Sequence, residues 1–208
     1  MSEQQSTSVT NISRRTMLKT LGLAGGFVVA VTLVPKGMRS LRARPTHDGL
    51  SPSIYLAIDE DGTVHAYIHR VEMGQGTRTG LTQILADELE ADWDRIHVVP
   101  TYGDVRFGSQ NTDGSTSIRN FYDAFRQAGA SARRMLEEAA ATEWGVDRSQ
   151  VEARNHEVYN AATGEALDYR ELVEAAASMD VPDPESLTLK TREEHRYIGH
   201  PIPNLYGE

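Results

Sequence analysis

Two glycines around one amide, Gly74-Gln75-Gly76, followed by the hydroxyls of Thr77 and Thr79, form the pattern in this chain best suited to gripping an anion. Glycine lets the backbone take conformations closed to other residues and approach a ligand closely. The stretch lies between a strand-like segment and a helix-like one. The N–H groups of the first helical turn therefore fall just beyond it, where unpaired donors and the helix dipole favour phosphate. A plain strand-to-helix turn uses the same residues, and both readings stay open on the pattern alone. A second stretch has the same character. Residues 101–117 make a long loop dense in hydroxyls, amides and glycines, with Thr112, Gly114 and Ser115 near its end, and it opens into a second helix. Loops of this length inside a domain are usually functional. Simple capping of that helix by Ser115 or Ser117 is the plainer alternative.

Other reactive side chains point less clearly to chemistry. Asp87, Glu88, Glu90 and Asp92 lie mostly off the apolar stripe of their helix and read as a solvated face, with an acid/base pair as the lesser alternative. His65 and His69 share one strand face about 13 Å apart, too far to chelate one metal, and read as solvent-facing. No His/Asp/Glu spacing matches a chelating helix or loop, so no metal ligand is expected within the chain. Cysteine is absent, which excludes disulfides, thiolate zinc, iron–sulfur ligation and a cysteine nucleophile within the chain. Any redox centre must come from outside.

The elements that position these loops are legible from periodicity. Ile54, Leu56 and Ile58 alternate with Tyr55 and Ala57, Asp61-Gly62 makes a turn, and Val64, Ala66 and Ile68 alternate with His65, Tyr67 and His69, which predicts a β-hairpin. Leu81, Ile84, Leu85 and Leu89 form one helical stripe. A short strand over Ile96 to Val99 ends at Pro100. The second helix carries Ile118, Phe121, Tyr122, Phe125, Met135 and Leu136 and is predicted to run to Trp144. Its Ala128-Gly129-Ala130-Ser131-Ala132 segment is smooth enough for another backbone to pack closely. A strand or hairpin edge follows over Val151 to Val158, with a turn at Gly164, and Asp168 with Glu171 caps a third helix. The fold class is therefore α+β, a β-hairpin and short strands packed against about three helices. A chain of 208 residues allows one domain, or one and a part. Residues 46–185 form that domain, and 186–208 read as an extended linker.

Charge is distributed unevenly. Residues 1–45 hold seven Lys/Arg and one acid, whereas the rest holds 14 bases against 29 acids. So acidic a body repels nucleic acid. Within 1–45, Ser13-Arg14-Arg15-Thr16-Met17-Leu18-Lys19 precedes fourteen uncharged residues from Leu21 to Val34, too short for a good membrane span. This resembles a twin-arginine export signal, with Met17 in place of the usual Phe. A packed N-terminal helix is the alternative. Without a clean cleavage site, the segment is expected to stay as an anchor, placing the protein in the periplasm or on the outer face of the cytoplasmic membrane.

Together these motifs carry a family resemblance. Glu72-Met73-Gly74-Gln75-Gly76, Ala86-Asp87-Glu88-Leu89, Thr112-Asp113-Gly114-Ser115, Arg126-Gln127-Ala128-Gly129-Ala130 and Leu189-Lys190 with Ile198-Gly199-His200-Pro201 resemble the molybdopterin-binding large subunit of the xanthine dehydrogenase/aldehyde oxidase family. The resemblance is strongest to the isoquinoline 1-oxidoreductase β-subunit and exported aldehyde dehydrogenase branch. It covers nearly the whole chain. It implies a molybdenum hydroxylase acting on aldehydes or N-heterocycles with water as oxygen source. Gly74, Gln75, Gly76 and Thr77 would hold the pterin and its phosphate, and Thr112, Gly114 and Ser115 would line it from the other side. The implied cofactor is molybdopterin, in its cytosine dinucleotide form, with molybdenum. The implied partners are a 2Fe-2S small subunit and a cytochrome c. The family's large subunit is several times longer, and its glycine-phenylalanine-glycine loop, second glutamine near molybdenum and catalytic glutamate have no counterpart here, so no catalytic residue is assigned. The expectation is one piece of a split subunit, completed by the remainder on another chain and inactive alone. The alternative is a non-catalytic remnant or envelope interaction module.

Overall fold

Alternating apolar residues over 56–68 build the hairpin at the centre of the domain. The computed structural model describes residues 49–101 and 103–205, so the twin-arginine stretch, the apolar run after it and the basic flank lie outside the described residues. Strand β2 (Leu56–Asp59) pairs antiparallel with β3 (Val64–Ile68), Leu56 opposite Ala66 and Ile58 opposite Val64. Their inward side chains are fully buried. Ile54, expected in the strand, sits instead in the turn before it. Ahead of that turn lies β1 (Gly49–Ser53), antiparallel to β2 and irregular between Leu50 and Ser53. It is an edge strand, where Pro52 removes no ladder bond that another strand needs.

From β3 the chain passes through the glycine loop into helix α1 (Thr77–Leu89) and returns as β4 (Ile96–Pro100), parallel to β3. The sheet order is β1-β2-β3-β4. Helix α2 (Thr116–Trp144) ends at Gly145 in the left-handed region. It packs along α1, and its smooth segment is where the two backbones meet. A Cβ on Gly129 would stand 2.5 Å from the Leu85 carbonyl oxygen. A second sheet, β5 (Val151–Arg154), β6 (Glu157–Asn160) and β7 (Ala166–Asp168), is an antiparallel meander. Helix α3 (Tyr169–Ala177) starts at the capping box of Asp168 and Glu171. The expected α+β class, hairpin and three helices are all present.

Helix α1 is buried on nearly every side, and here the sequence reading needs correcting. Asp87 and Glu88 are fully buried and Glu90 nearly so, rather than forming a solvated face. What covers them is the chain's own C-terminal segment. Asp87 accepts the N–H groups of Arg196 (2.7 Å), Tyr197 (3.2 Å) and Ile198 (2.8 Å). Glu88 pairs with Arg126 at 2.6 Å and accepts the Lys190 N–H. Glu90 binds the Lys190 ammonium and, at 2.7 Å, the Arg196 guanidinium. Further along, Gln83 donates to the Tyr197 carbonyl and the Leu205 N–H reaches Thr79 Oγ1. Residues 190–205 therefore run along α1 from its C-terminal to its N-terminal end as a strap. Buried carboxylates are tolerated because each is paired and hydrogen-bonded.

His156 joins the second sheet to this core. Its Nδ1 accepts the Asp92 N–H at 3.1 Å, so Nε2 carries the proton and donates to the Gly62 carbonyl at 2.9 Å. Burial first, then the Arg95 charge, lowers its pKa from 6.5 to about 4. The unfolded chain thus binds this proton more readily than the folded one. His156 contributes stability that is full above about pH 6.5, declines as the pH falls, and is gone below about 4. Between pH 7 and pH 5 the loss is expected to be on the order of 2 kcal/mol. Urea midpoints at the two pH values, for the wild type and for His156→Gln, check this. An equal pH slope in both would remove His156 as the cause.

Candidate functional site

The glycine loop takes its shape from Glu72. Its Oε1 accepts the N–H groups of Gly74 (2.7 Å) and Gly76 (3.0 Å), and its Oε2 accepts that of Arg78 (3.1 Å), in the first turn of α1. Gly74 and Gly76 take φ values of 97° and 80°, which lets the loop curl around the carboxylate. Partial burial works to raise the Glu72 pKa, but the donors of Arg78, Gly76, Gly74 and Gln75 outweigh it and hold the carboxyl below its usual range. The loop is an anion cradle, as its sequence suggests, and three of its N–H groups already hold the chain's own anion. A clue was present two residues before the first glycine, since a Glu there can reach the N–H groups that follow.

Glu72→Gln leaves one acceptor oxygen and replaces the other with a donor, so the Arg78 N–H loses its partner. The expected result is about 1 kcal/mol of lost stability, as for a missing helix cap. Faster amide exchange at Gly74, Gly76 and Arg78 should accompany it. Unchanged exchange at these three would show that the carboxylate does not order the loop.

The Gln75 amide is engaged within the loop at both ends. Oε1 accepts the Met73 N–H at 2.6 Å, while Nε2 donates to the Val71 carbonyl at 3.0 Å and to Thr77 Oγ1 at 2.9 Å. A third contact joins the two loops predicted from sequence, the Val71 N–H donating to Thr112 Oγ1 at 2.9 Å. Between them opens a cavity of about 490 Å³, and Gln75, Thr77, Thr112, Gly114 and Ser115 all line it. Five of the seven residues expected at the site thus share one wall. The other two, Gly74 and Gly76, flank Gln75, with nothing within 4 Å of where a Cβ would stand. Thr77 and Thr112 accept hydrogen bonds through Oγ1, which leaves each hydroxyl hydrogen for a further acceptor.

The entry to α2 differs from simple capping. Ser115 occupies the N-cap position in a left-handed conformation (φ 56°), and its side chain makes no capping bond. The adjoining turn is closed by Thr116 Oγ1, which donates to the Asp113 carbonyl at 2.8 Å. The Thr116 N–H also donates to the Asp113 carbonyl, at 3.1 Å, whereas Ser117 and Ile118, the next residues of the first turn, where N–H groups lack intrahelical partners, are on the cavity wall. Met73 and Ile118, both on the cavity wall, are exposed apolar side chains.

The strand before the loop departs from expectation. His65 is half-buried and meets Asp59 at 2.7 Å. His69 is fully buried, packed edge-on to Phe121 with ring centroids 4.3 Å apart. Neither of its ring nitrogens has a hydrogen-bond partner. Burial, then the neighbouring Arg70 charge, lowers its pKa to about 4, so it is neutral. The strand ends at Ile68, so alternation no longer sets the surroundings of His69, and Phe121 and Phe125 of helix α2, some fifty residues later, pack against its ring. Among the described residues no group of three or more His, Asp or Glu side chains is arranged to hold a metal ion. No helix among them is long and apolar enough to cross a membrane.

The chain matches the molybdopterin cofactor-binding domain model over residues 10–202. It is 32% identical over 179 residues to the β-subunit of isoquinoline 1-oxidoreductase from Brevundimonas diminuta, covering 83% of this chain and 22% of that protein. It is 33% identical to the membrane-bound aldehyde dehydrogenase [pyrroloquinoline-quinone] of Gluconacetobacter polyoxogenes, covering 76% and 21%. With the B subunit of nicotinate dehydrogenase from Pseudomonas putida it shares 30% identity, covering 82% and 14%. The chain therefore spans between about a seventh and a fifth of the length of these relatives.

Proposed function

Because the chain belongs to the molybdopterin cofactor-binding family of the xanthine dehydrogenase type, we propose that it is the cofactor-binding portion of a molybdenum hydroxylase that oxidises aldehydes or N-heterocycles. The observation that carries this reading is the cavity between the two loops. Its volume falls in the range of small-molecule sites, roughly 300–1,000 Å³. The residues present fit such a group. Open space in front of Gly74 and Gly76 admits a flat ligand against the backbone, and the hydroxyls of Thr77 and Thr112 supply donors. Gly114 and Ser115 bring the uncapped start of α2 to the same wall, where its dipole favours an anionic group. Gln75 holds the loop and Thr77 in place rather than reaching outward. When bound, molybdopterin, in its cytosine dinucleotide form, would supply the redox centre for hydroxylation with water as the oxygen source.

Residues 1–45 form a twin-arginine signal that stays as an anchor, so the protein works in the periplasm or at the outer face of the cytoplasmic membrane. The curated aldehyde dehydrogenase relative is itself named as membrane-bound. Residues 46–185 bind the cofactor, and 186–208 lead towards the rest of the large subunit on another chain. Electrons leave through a 2Fe-2S small subunit and a cytochrome c.

Purification of this chain from its native host, with partners identified by mass spectrometry and molybdenum and pterin quantified on the same sample, tests the reading. Stoichiometric molybdenum and pterin, together with a partner carrying the remaining large-subunit motifs, is the expected result. Recovery of the chain alone, free of metal and pterin, would overturn it in favour of a non-catalytic envelope module.

A further inference from the structure

Arg70 is the only arginine or lysine among the described residues that is buried as a whole residue, at 3% exposed, and it has no carboxylate partner there. Its Nε is sealed from solvent without a hydrogen bond. The guanidinium carbon stands 4.5 Å from the centre of the Phe121 ring, and this cation–π contact is a poor substitute for a counter-anion. Its neighbour in the chain, His69, is neutral and brings no negative charge. A buried charge left unpaired is costly, and proteins keep one where something else supplies the partner.

The position of Arg70 indicates what that partner is. Phe121 lies three and four residues beyond Ile118 and Ser117, on the same face of α2, and both of those line the cavity. The next residue along the strand, Val71, donates its N–H to Thr112, on the cavity's opposite wall. Arg70 therefore sits beside the cavity, one helical turn along from its lining. An oxyanion in that cavity also meets a glycine loop whose N–H groups at Gly74, Gly76 and Arg78 are already held by Glu72. The loop supplies little charge of its own to a phosphate.

The geometry points to Arg70 as the charged receptor for a phosphate or pyrophosphate group of the ligand that occupies this cavity. This rests on the reading of the cavity as a molybdopterin site and deepens it. The phosphate is held by a guanidinium and the start of α2, and the glycine loop shapes the pocket without taking the phosphate itself. Planar, two-pronged donation to phosphate is the arrangement arginine performs best. The phosphate can belong to the bound cofactor or be free in solution, and the two arms of the test separate these sources.

In the first arm, the full-length chain is titrated with inorganic pyrophosphate by calorimetry and by thermal unfolding, as wild type, Arg70→Lys and Arg70→Met. The expected result is saturable binding by the wild type, roughly tenfold to hundredfold weaker binding by Arg70→Met, and an intermediate value for Arg70→Lys. Without pyrophosphate, Arg70→Met should unfold at a higher temperature than the wild type, because it removes an unpaired buried charge. A structural arginine would give the opposite sign. In the second arm, pterin content per chain is measured on wild type and Arg70→Met purified from the host. Pterin present in the wild type and depleted in the variant supports cofactor phosphate as the ligand. Equal pyrophosphate affinity in wild type and variant, or equal pterin content in both, overturns the assignment and leaves the cofactor reading standing. Absence of pterin from the wild type defeats the cofactor reading. Pyrophosphate binding lost in Arg70→Met in that case would identify a site for free phosphate.

Discussion

Gly129→Ala is expected to destabilise the domain by about 2 kcal/mol, and Gly129→Val by about 3 kcal/mol or more. Alanine in a helix interior ordinarily stabilises, by about 0.5–1 kcal/mol relative to glycine. Here that gain is outweighed. The new methyl would stand 2.5 Å from the Leu85 carbonyl oxygen, 2.9 Å from Glu88 Cβ and 3.1 Å from the Leu89 nitrogen. Two of those atoms are backbone and cannot rotate away, so the helices themselves must separate. Separation also strains the Arg126–Glu88 pair, which spans the same interface at 2.6 Å. Denaturant unfolding of the two variants decides the matter. Gly129→Ala as stable as the wild type would mean that α1 and α2 are less closely packed than described.

The second large effect is expected at Asp87. Its carboxylate accepts three consecutive backbone N–H groups, from Arg196, Tyr197 and Ile198, and lies 3.7 Å from the Lys190 ammonium. Asp87→Ala removes every one of these acceptors at once and leaves buried donors unpaired. Breaking one side of a buried charged network costs about 3–5 kcal/mol. Part of that cost can be relieved by releasing the strap into water, which gives a local readout. Limited proteolysis should cut Asp87→Ala within residues 186–205 before the helices are attacked, while the wild type resists. A cleavage pattern like that of the wild type, with an unchanged unfolding midpoint, would show that Asp87 does not hold the strap.

Both effects separate what local sequence carries from what it does not. The Gly129 contact was visible in advance, because a run of small residues on a helix marks close approach whichever element provides the partner. The hairpin over 56–68, the stripe from Leu81 to Leu89, the reach of α2 to Trp144 and the capping box at Asp168 were legible for a related reason. Each depends on neighbours within a few residues. The carboxylates of α1 were read as solvated because their partners, Lys190 and Arg196, stand about a hundred positions away. No periodicity registers a strap that distant. His69 misled in the same manner, since strand alternation does not tell what later packs on a residue at the strand's end. At the site, both loops were legible from glycine and hydroxyl density, their facing each other was implied only by the family resemblance, and five of the residues named line one cavity. The ownership of the loop N–H groups by Glu72 was not, because a pattern that cradles an outside anion will cradle an inside one equally well.

The distance between helix α1 and its strap also sets an order in time. Asp87 is completed by residues 109 to 111 positions later in the chain. During synthesis at roughly 5–20 residues per second, α1 emerges on the order of ten seconds before the segment that neutralises and covers it. Until then Asp87, Glu88 and Glu90 must remain in water, and the helix that carries the central core stripe cannot be fully enclosed. The domain is therefore built to close late, after almost all of its described length has left the ribosome.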